Sequence, residues 1–164
     1  MSDRPLPTVI QGGMGIAVSS WQLARAVSQR GELGVVSGTG LDAVLARKLQ
    51  NGDIGGHCRR ALDAFPEQSM VQRVWDRFYL EGGRNGAPYR PNETITLNPK
   101  QAAVDLAVLG NFVEVWLAKE GHDGLVGINF LEKIQMATPT AALGAVLAGV
   151  DYVLMGAGIP REIP

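Results

Sequence analysis

Leu33-Gly34-Val35-Val36-Ser37-Gly38-Thr39-Gly40-Leu41-Asp42 is the stretch on which the fold turns. Its first half is a short apolar run closed by glycine. That pattern predicts a strand over 33–37, buried on both faces as in a parallel sheet covered by helices. Gly38-Thr39-Gly40 reads as a tight turn. Asp42 is placed to cap a helix over 43–50. Ten residues thus hold strand, turn and helix start, which is one βα unit.

The same unit recurs outward from it. Residues 8–11 form a short apolar run ended by Gly12 and Gly13, and predict a first strand. Ser19 or Ser20 is placed to cap a helix carrying Trp21, Leu23, Ala24 and Val27 on one face, which Gly31 ends. On the C-terminal side, residues 125–129 (LVGIN) predict a third strand and residues 151–155 (DYVLM) a fourth. Thr138-Pro139 opens the helix between them, and Gly149 follows it. Residues 43–124 carry no strand signal. Residues 68–80 look helical and 81–97 read as loop. Asn98-Pro99-Lys100-Gln101 opens a helix to about residue 120. The expectation is an α/β fold of the parallel (β/α)₈ barrel type, represented by its first four strands as a half barrel. Residues 43–124 would be a helical insertion between strands two and three, all within one domain over 1–164.

Composition narrows the function. The chain has 164 residues, 46% of them apolar, with 15 Lys and Arg against 16 Asp and Glu. A net charge of -1 supplies no basic footprint for nucleic acid or an anionic membrane. No run of about 18 apolar residues stands out, so no membrane span is expected. Residues 1–7 lack the apolar run of a signal peptide. The single cysteine, Cys58, fits a reducing compartment. A cytoplasmic protein is the expectation.

The 21 glycines are placed rather than scattered. Gly13-Met14-Gly15-Ile16, Gly38-Thr39-Gly40-Leu41 and Gly156-Ala157-Gly158-Ile159 each follow a strand. All lie where parallel α/β folds build their sites, at the C-terminal strand ends. Glycine there lets the backbone approach a flat ligand and offer its N–H groups. One such turn is ordinary βα punctuation; three side by side point to a planar cofactor. The third strand ends instead in Asn129, whose amide can donate to and accept from a ring edge. The strand-end positions Gly12, Gly13, Met14, Gly15, Gly38, Asn129 and Met155 are therefore the candidate cofactor-binding residues.

Other motifs carry less. Gly38-Thr39-Gly40-Leu41-Asp42-Ala43 matches G-x-G-x-x-A, but Asp63, at the required distance, has no strand before it. His57 and Cys58 lack further metal ligands at suitable spacing and read as a surface pair. His122 precedes strand three, at the face of the sheet away from chemistry. The apolar stripe Val104, Leu106, Val108, Leu109, Val113, Trp116 and Leu117 reads as core packing. No catalytic residue is identified, and no metal site.

Residues 11–20 (QGGMGIAVSS), 34–42 (GVVSGTGLD), 128–136 (INFLEKIQM) and 148–164 (AGVDYVLMGAGIPREIP) resemble the nitronate monooxygenase (2-nitropropane dioxygenase) family. The resemblance implies a barrel flavoprotein with FMN as cofactor. It implies oxidation of alkyl nitronates with oxygen, with a nicotinamide as a further electron donor. It places Gly13, Met14, Gly15 and Asn129 against the flavin. The related flavin-dependent enoyl reductases of fatty-acid and polyketide synthesis are the alternative, and a non-catalytic fragment is another. The family's histidine motif is not found around His57 or His122. Its phosphate loops follow strands seven and eight. The chain is therefore expected to be inactive alone and to self-associate through open sheet edges.

Overall fold

The structure, a computed structural model, describes residues 6–159 and 161. Helix α1 (Trp21–Ser28) leads into strand β1 (Gly34–Ser37) and helix α2 (Leu41–Gln50). Helices α3 (His57–Asp63), α4 (Gln68–Phe78) and α5 (Gln101–Lys119) follow. Strand β2 (Val126–Leu131), a 3₁₀ turn over Gln135–Ala137, helix α6 (Thr138–Leu147) and strand β3 (Tyr152–Gly156) complete the order. The strands form one parallel sheet in the order β1-β2-β3. Gly34 pairs with Val126, and Gly127 with Tyr152.

The expected half barrel of four strands is corrected. Among the described residues the sheet has three strands, and residues 8–11 contribute a single parallel bridge, Ile10 to Leu33. The reason lies in the hydrogen bonds. Leu33 N–H donates to the Val9 carbonyl at 3.1 Å, and Gln11 N–H donates to the Leu33 carbonyl at 3.0 Å. At the next rung Val35 N–H donates to the Gln11 side-chain Oε1 at 2.9 Å, not to backbone. Further on, Ser37 N–H donates to the Ser19 carbonyl at 2.9 Å. Gly12 and Gly13 have by then turned the main chain away. The edge of β1 is satisfied without a strand, and Val9 and Ile10 stay exposed.

The insertion reading of 43–124 is corrected as well. Helix α5 is not peripheral: it packs against every other helix and against β1 and β2. It is long and apolar enough to cross a membrane, yet 78% of its apolar window is buried within the fold. Leu106, Leu109, Phe112 and Val113 of α5 meet Leu41, Leu45 and Leu49 of α2 in the core. Phe65 stacks edge-on against Phe112, with ring centres 4.9 Å apart. Each such buried side chain contributes about 1.5–3 kcal/mol. The core is therefore built around the helix whose sequence reads as an addition.

Two helix starts differ from expectation. Ser20 precedes α1 but makes no side-chain cap. Instead the Trp21 N–H donates to Glu114 Oε2 on α5 at 3.0 Å. Helix α2 is capped by Gly40, at φ +70°, a conformation that costs glycine little. Asp42 lies in the first turn and accepts from Asn92 Nδ2 at 3.0 Å.

Candidate functional site at the strand ends

Alternation along the strands separates two faces. Val36, Ile128 and Phe130 point into the helical core. Val35, Asn129 and Leu154 lie on the other face, where the segment after Gln11 crosses over. Asn129 is the hub there. Its Nδ2 donates to the Gly13 carbonyl at 2.9 Å. Its own carbonyl accepts from Gly38 N–H at 2.8 Å. On the third side is Gly156, where a Cβ would stand 3.5 Å from Asn129 Oδ1. Two strand ends and the Gly13 loop thus converge on β2 through one residue.

The close approach at Gly13 requires glycine. A Cβ there would fall 2.6 Å from Asn129 Cβ and 2.8 Å from Val35 Cγ1. The loop around it is fixed by Ser19, which is buried. Ser19 Oγ accepts from Met14 N–H at 2.8 Å and from Gln11 Nε2 at 2.9 Å, and donates to the Gly12 carbonyl at 2.8 Å. Met14 is held outward and is 66% exposed. Gly12 and Gly15 belong to the same loop, and Gly15 is exposed. A Cβ on Gly15 would meet Ser37 Oγ at 3.0 Å.

Gly12, Gly13, Met14, Gly15 and Asn129 are therefore brought together, and Gly38 joins them through its backbone N–H alone, its Cβ position facing Phe130 on the helical side. Met155 is not among them. It pairs with Phe130 in register and packs with it on the helical face of the sheet. Among the described residues the Asn129 side chain makes one hydrogen bond, the Nδ2 donation to Gly13, which leaves Oδ1 to accept. No arginine or lysine stands among the residues named at this mouth.

A cleft of about 590 Å³ opens beside the mouth, a volume typical of small-molecule sites. Its walls are the Gly38–Asp42 turn, the segment 133–137 after β2, and Ala107 and Asn111 of α5. Ile16, Thr94, Ile95 and Ala141 complete it. Asn111 interrupts the apolar run of α5, a signal that the motif reading passes over. Asn111 is 2% exposed. Its Nδ2 donates to the Ala107 carbonyl at 2.8 Å, one turn back. Its Oδ1 has no partner among the described residues. A buried polar atom left so costs about 1–3 kcal/mol.

The remaining sequence candidates are structural. Cys58 is buried, not a surface residue. Burial, with the Asp53 carboxylate beside it, pushes its thiol far up, so it is no nucleophile. His57 packs against Trp21, ring centres 5.1 Å apart. His122 lies between the Ala118 carbonyl (2.7 Å) and the Gly124 N–H (3.1 Å), tying the end of α5 to the approach to β2. No group of three His, Cys, Asp or Glu among the described residues is arranged to hold a metal ion.

No protein-family model, curated protein or solved structure matches the chain.

Proposed function

We propose that the strand-end mouth around Asn129 is a flavin-facing surface, and that the chain serves FMN-dependent oxidation of alkyl nitronates. The observation that carries this reading is the convergence of Gly13, Gly38 and Gly156 on Asn129. A planar ring system needs a floor without projecting Cβ atoms and polar groups at its edge. Gly12 and Gly156 supply the first: a Cβ at Gly12 would meet nothing within 4 Å, and one at Gly156 nothing closer than 3.5 Å. Asn129 Oδ1 supplies an acceptor for a ring N–H, and the exposed Met14 an apolar contact over the ring.

FMN would bring the redox chemistry, taking electrons from the nitronate or from a nicotinamide and passing them to oxygen. The chain's part is to bind and orient. Asn129 ties the Gly13 loop to β2 and so fixes the distance between floor and ring edge. The Ser19 hydroxyl holds that loop in one conformation. The FMN phosphate, a dianion, asks for a cationic or helix-terminal seat. None of the residues assigned to the mouth supplies one. The surface thus recognises the ring and not the phosphate. A cytoplasmic setting goes with this reading, Cys58 being a buried free thiol.

The test is a titration of FMN and of riboflavin with the purified chain, followed by quenching of flavin fluorescence. Weak binding, equal for the two flavins, is expected, with no oxygen uptake on nitronate by the chain alone. Quenching of neither flavin would refute the reading. Much tighter binding of FMN would refute the assignment of a site without a phosphate seat.

A further inference from the structure

The cleft behind the Gly38–Asp42 turn is a second feature, adjoining the mouth at Gly38. Gly38 borders both the cleft and the mouth, but Asn129 and Gly13 do not line the cleft, so a ligand held by Asn111 is distinguishable from a flavin held by Asn129. Its walls are mainly aliphatic, with Leu41, Ile95, Ile134 and Met136 prominent. Asp42 and Lys133 place one charge of each sign on its border. The field there selects neither anion nor cation.

Against this apolar lining stands one buried amide without a full set of partners. The Asn111 Nδ2 bond to the Ala107 carbonyl fixes which way the amide faces. Reversing it would set Oδ1 against that carbonyl, oxygen to oxygen. Oδ1 is therefore held as an acceptor with no donor to it among the described residues. Asparagine inside this apolar stretch of a core helix satisfies one side of its amide and leaves a buried acceptor unpaired. Leucine would fill the same space without an orphaned oxygen.

We propose that this cleft binds a small neutral molecule with an apolar body and one hydrogen-bond donor, seated with the donor on Asn111 Oδ1. The apolar walls supply most of the affinity. Asn111 supplies selectivity, because a site built to pair a hydroxyl or amide N–H discriminates strongly against an analogue that lacks it. Thr94, on the long loop between α4 and α5, is an exposed part of the wall.

Two probes of nearly equal shape test this: 2-naphthol, which has one donor, and 2-methoxynaphthalene, which has none. Isothermal titration of the intact chain should show one site for 2-naphthol, with the ether at least tenfold weaker. In Asn111→Leu the two probes should bind alike, the gap closing through loss of 2-naphthol affinity. Thr94→Trp, on a loop outside the core, should weaken both. Equal binding of the probes to the wild-type chain would overturn the proposal. So would a gap that persists in Asn111→Leu, or no binding of 2-naphthol. Should Asn111→Leu fail to fold, the wild-type comparison and Thr94→Trp still decide: binding of 2-naphthol unaffected by Thr94→Trp would place it outside the cleft.

Discussion

The Asn129 side-chain amide donates to the Gly13 carbonyl at 2.9 Å, joining β2 to a loop 116 residues earlier in the chain. The contact admits no Cβ at Gly13, where one would stand 2.6 Å from Asn129 Cβ. Gly13→Ala should therefore lower unfolding free energy by about 1–3 kcal/mol, the cost of overpacking a close contact. Urea denaturation checks this; an unchanged midpoint would mean that the loop shifts freely.

Glu114 does a different kind of joining. Buried on α5, it accepts from Trp21 N–H at the start of α1 and pairs with Lys48 on α2. Removing it leaves an unpaired helix N–H and a Lys48 that is only 34% exposed without its partner. Breaking a buried pair of this kind costs about 3–5 kcal/mol. Glu114→Ala should fall near the lower end, since Lys48 reaches water. A loss in urea unfolding no larger than that of an exposed pair would contradict this.

Much of the sheet is legible in the sequence. Residues 33–37, 125–129 and 151–155 are apolar runs between turn signals, and β1, β2 and β3 lie on them in parallel and in chain order. Residues 8–11 carry the same pattern and do not form a strand. What decides there is long-range: the Gln11 side chain occupies the rung its backbone would have taken. The place of α5 is illegible for a similar reason. Its apolar stripe is visible, but not that α2, α4 and α6 all pack on it. Of the site, the glycines and Asn129 can be read from their position after strands. Met155 cannot be separated from them, because only the register with Phe130 shows which face it takes. Asn111 does leave a signal, a lone amide in an apolar helix, but its orphaned oxygen is visible only in the fold.

Acid should act on the link between α3 and α5. Arg60 binds Glu120 through Nε at 2.6 Å and Nη2 at 3.0 Å, and Arg25 adds a contact at 3.3 Å. The hydrogen bonds from Arg60 hold the Glu120 carboxyl below its ordinary range. A carboxyl lowered in the folded state contributes stability above its unfolded pKa, about 4.3, and loses it as pH falls through the folded value. Thermal melts of wild type and Glu120→Gln should differ at pH 7 and converge below about pH 4. A difference independent of pH would show that the pairing contributes nothing through charge.

The free edge of β3 should govern assembly. Among the described residues its one strand neighbour is β2, and Tyr152 and Val153 are exposed on it. Leu143, Val146 and Leu147 of α6, the helix that precedes β3 in the chain, are exposed too. Uncovered strand edges and apolar patches promote association. Sedimentation velocity should show concentration-dependent self-association that Val153→Lys reduces. A monomer at all concentrations would refute it.

The central claim is that Asn129 organises a surface that recognises a flavin ring. It is tested most directly by riboflavin titration of the wild-type chain and of Asn129→Leu, read by flavin fluorescence quenching, with near-ultraviolet circular dichroism as the control for folding. The account predicts quenching by the wild type and an affinity at least tenfold lower in a folded Asn129→Leu, about 1.4 kcal/mol. Equal affinity of the two folded proteins for riboflavin, or no quenching by the wild type, would contradict it.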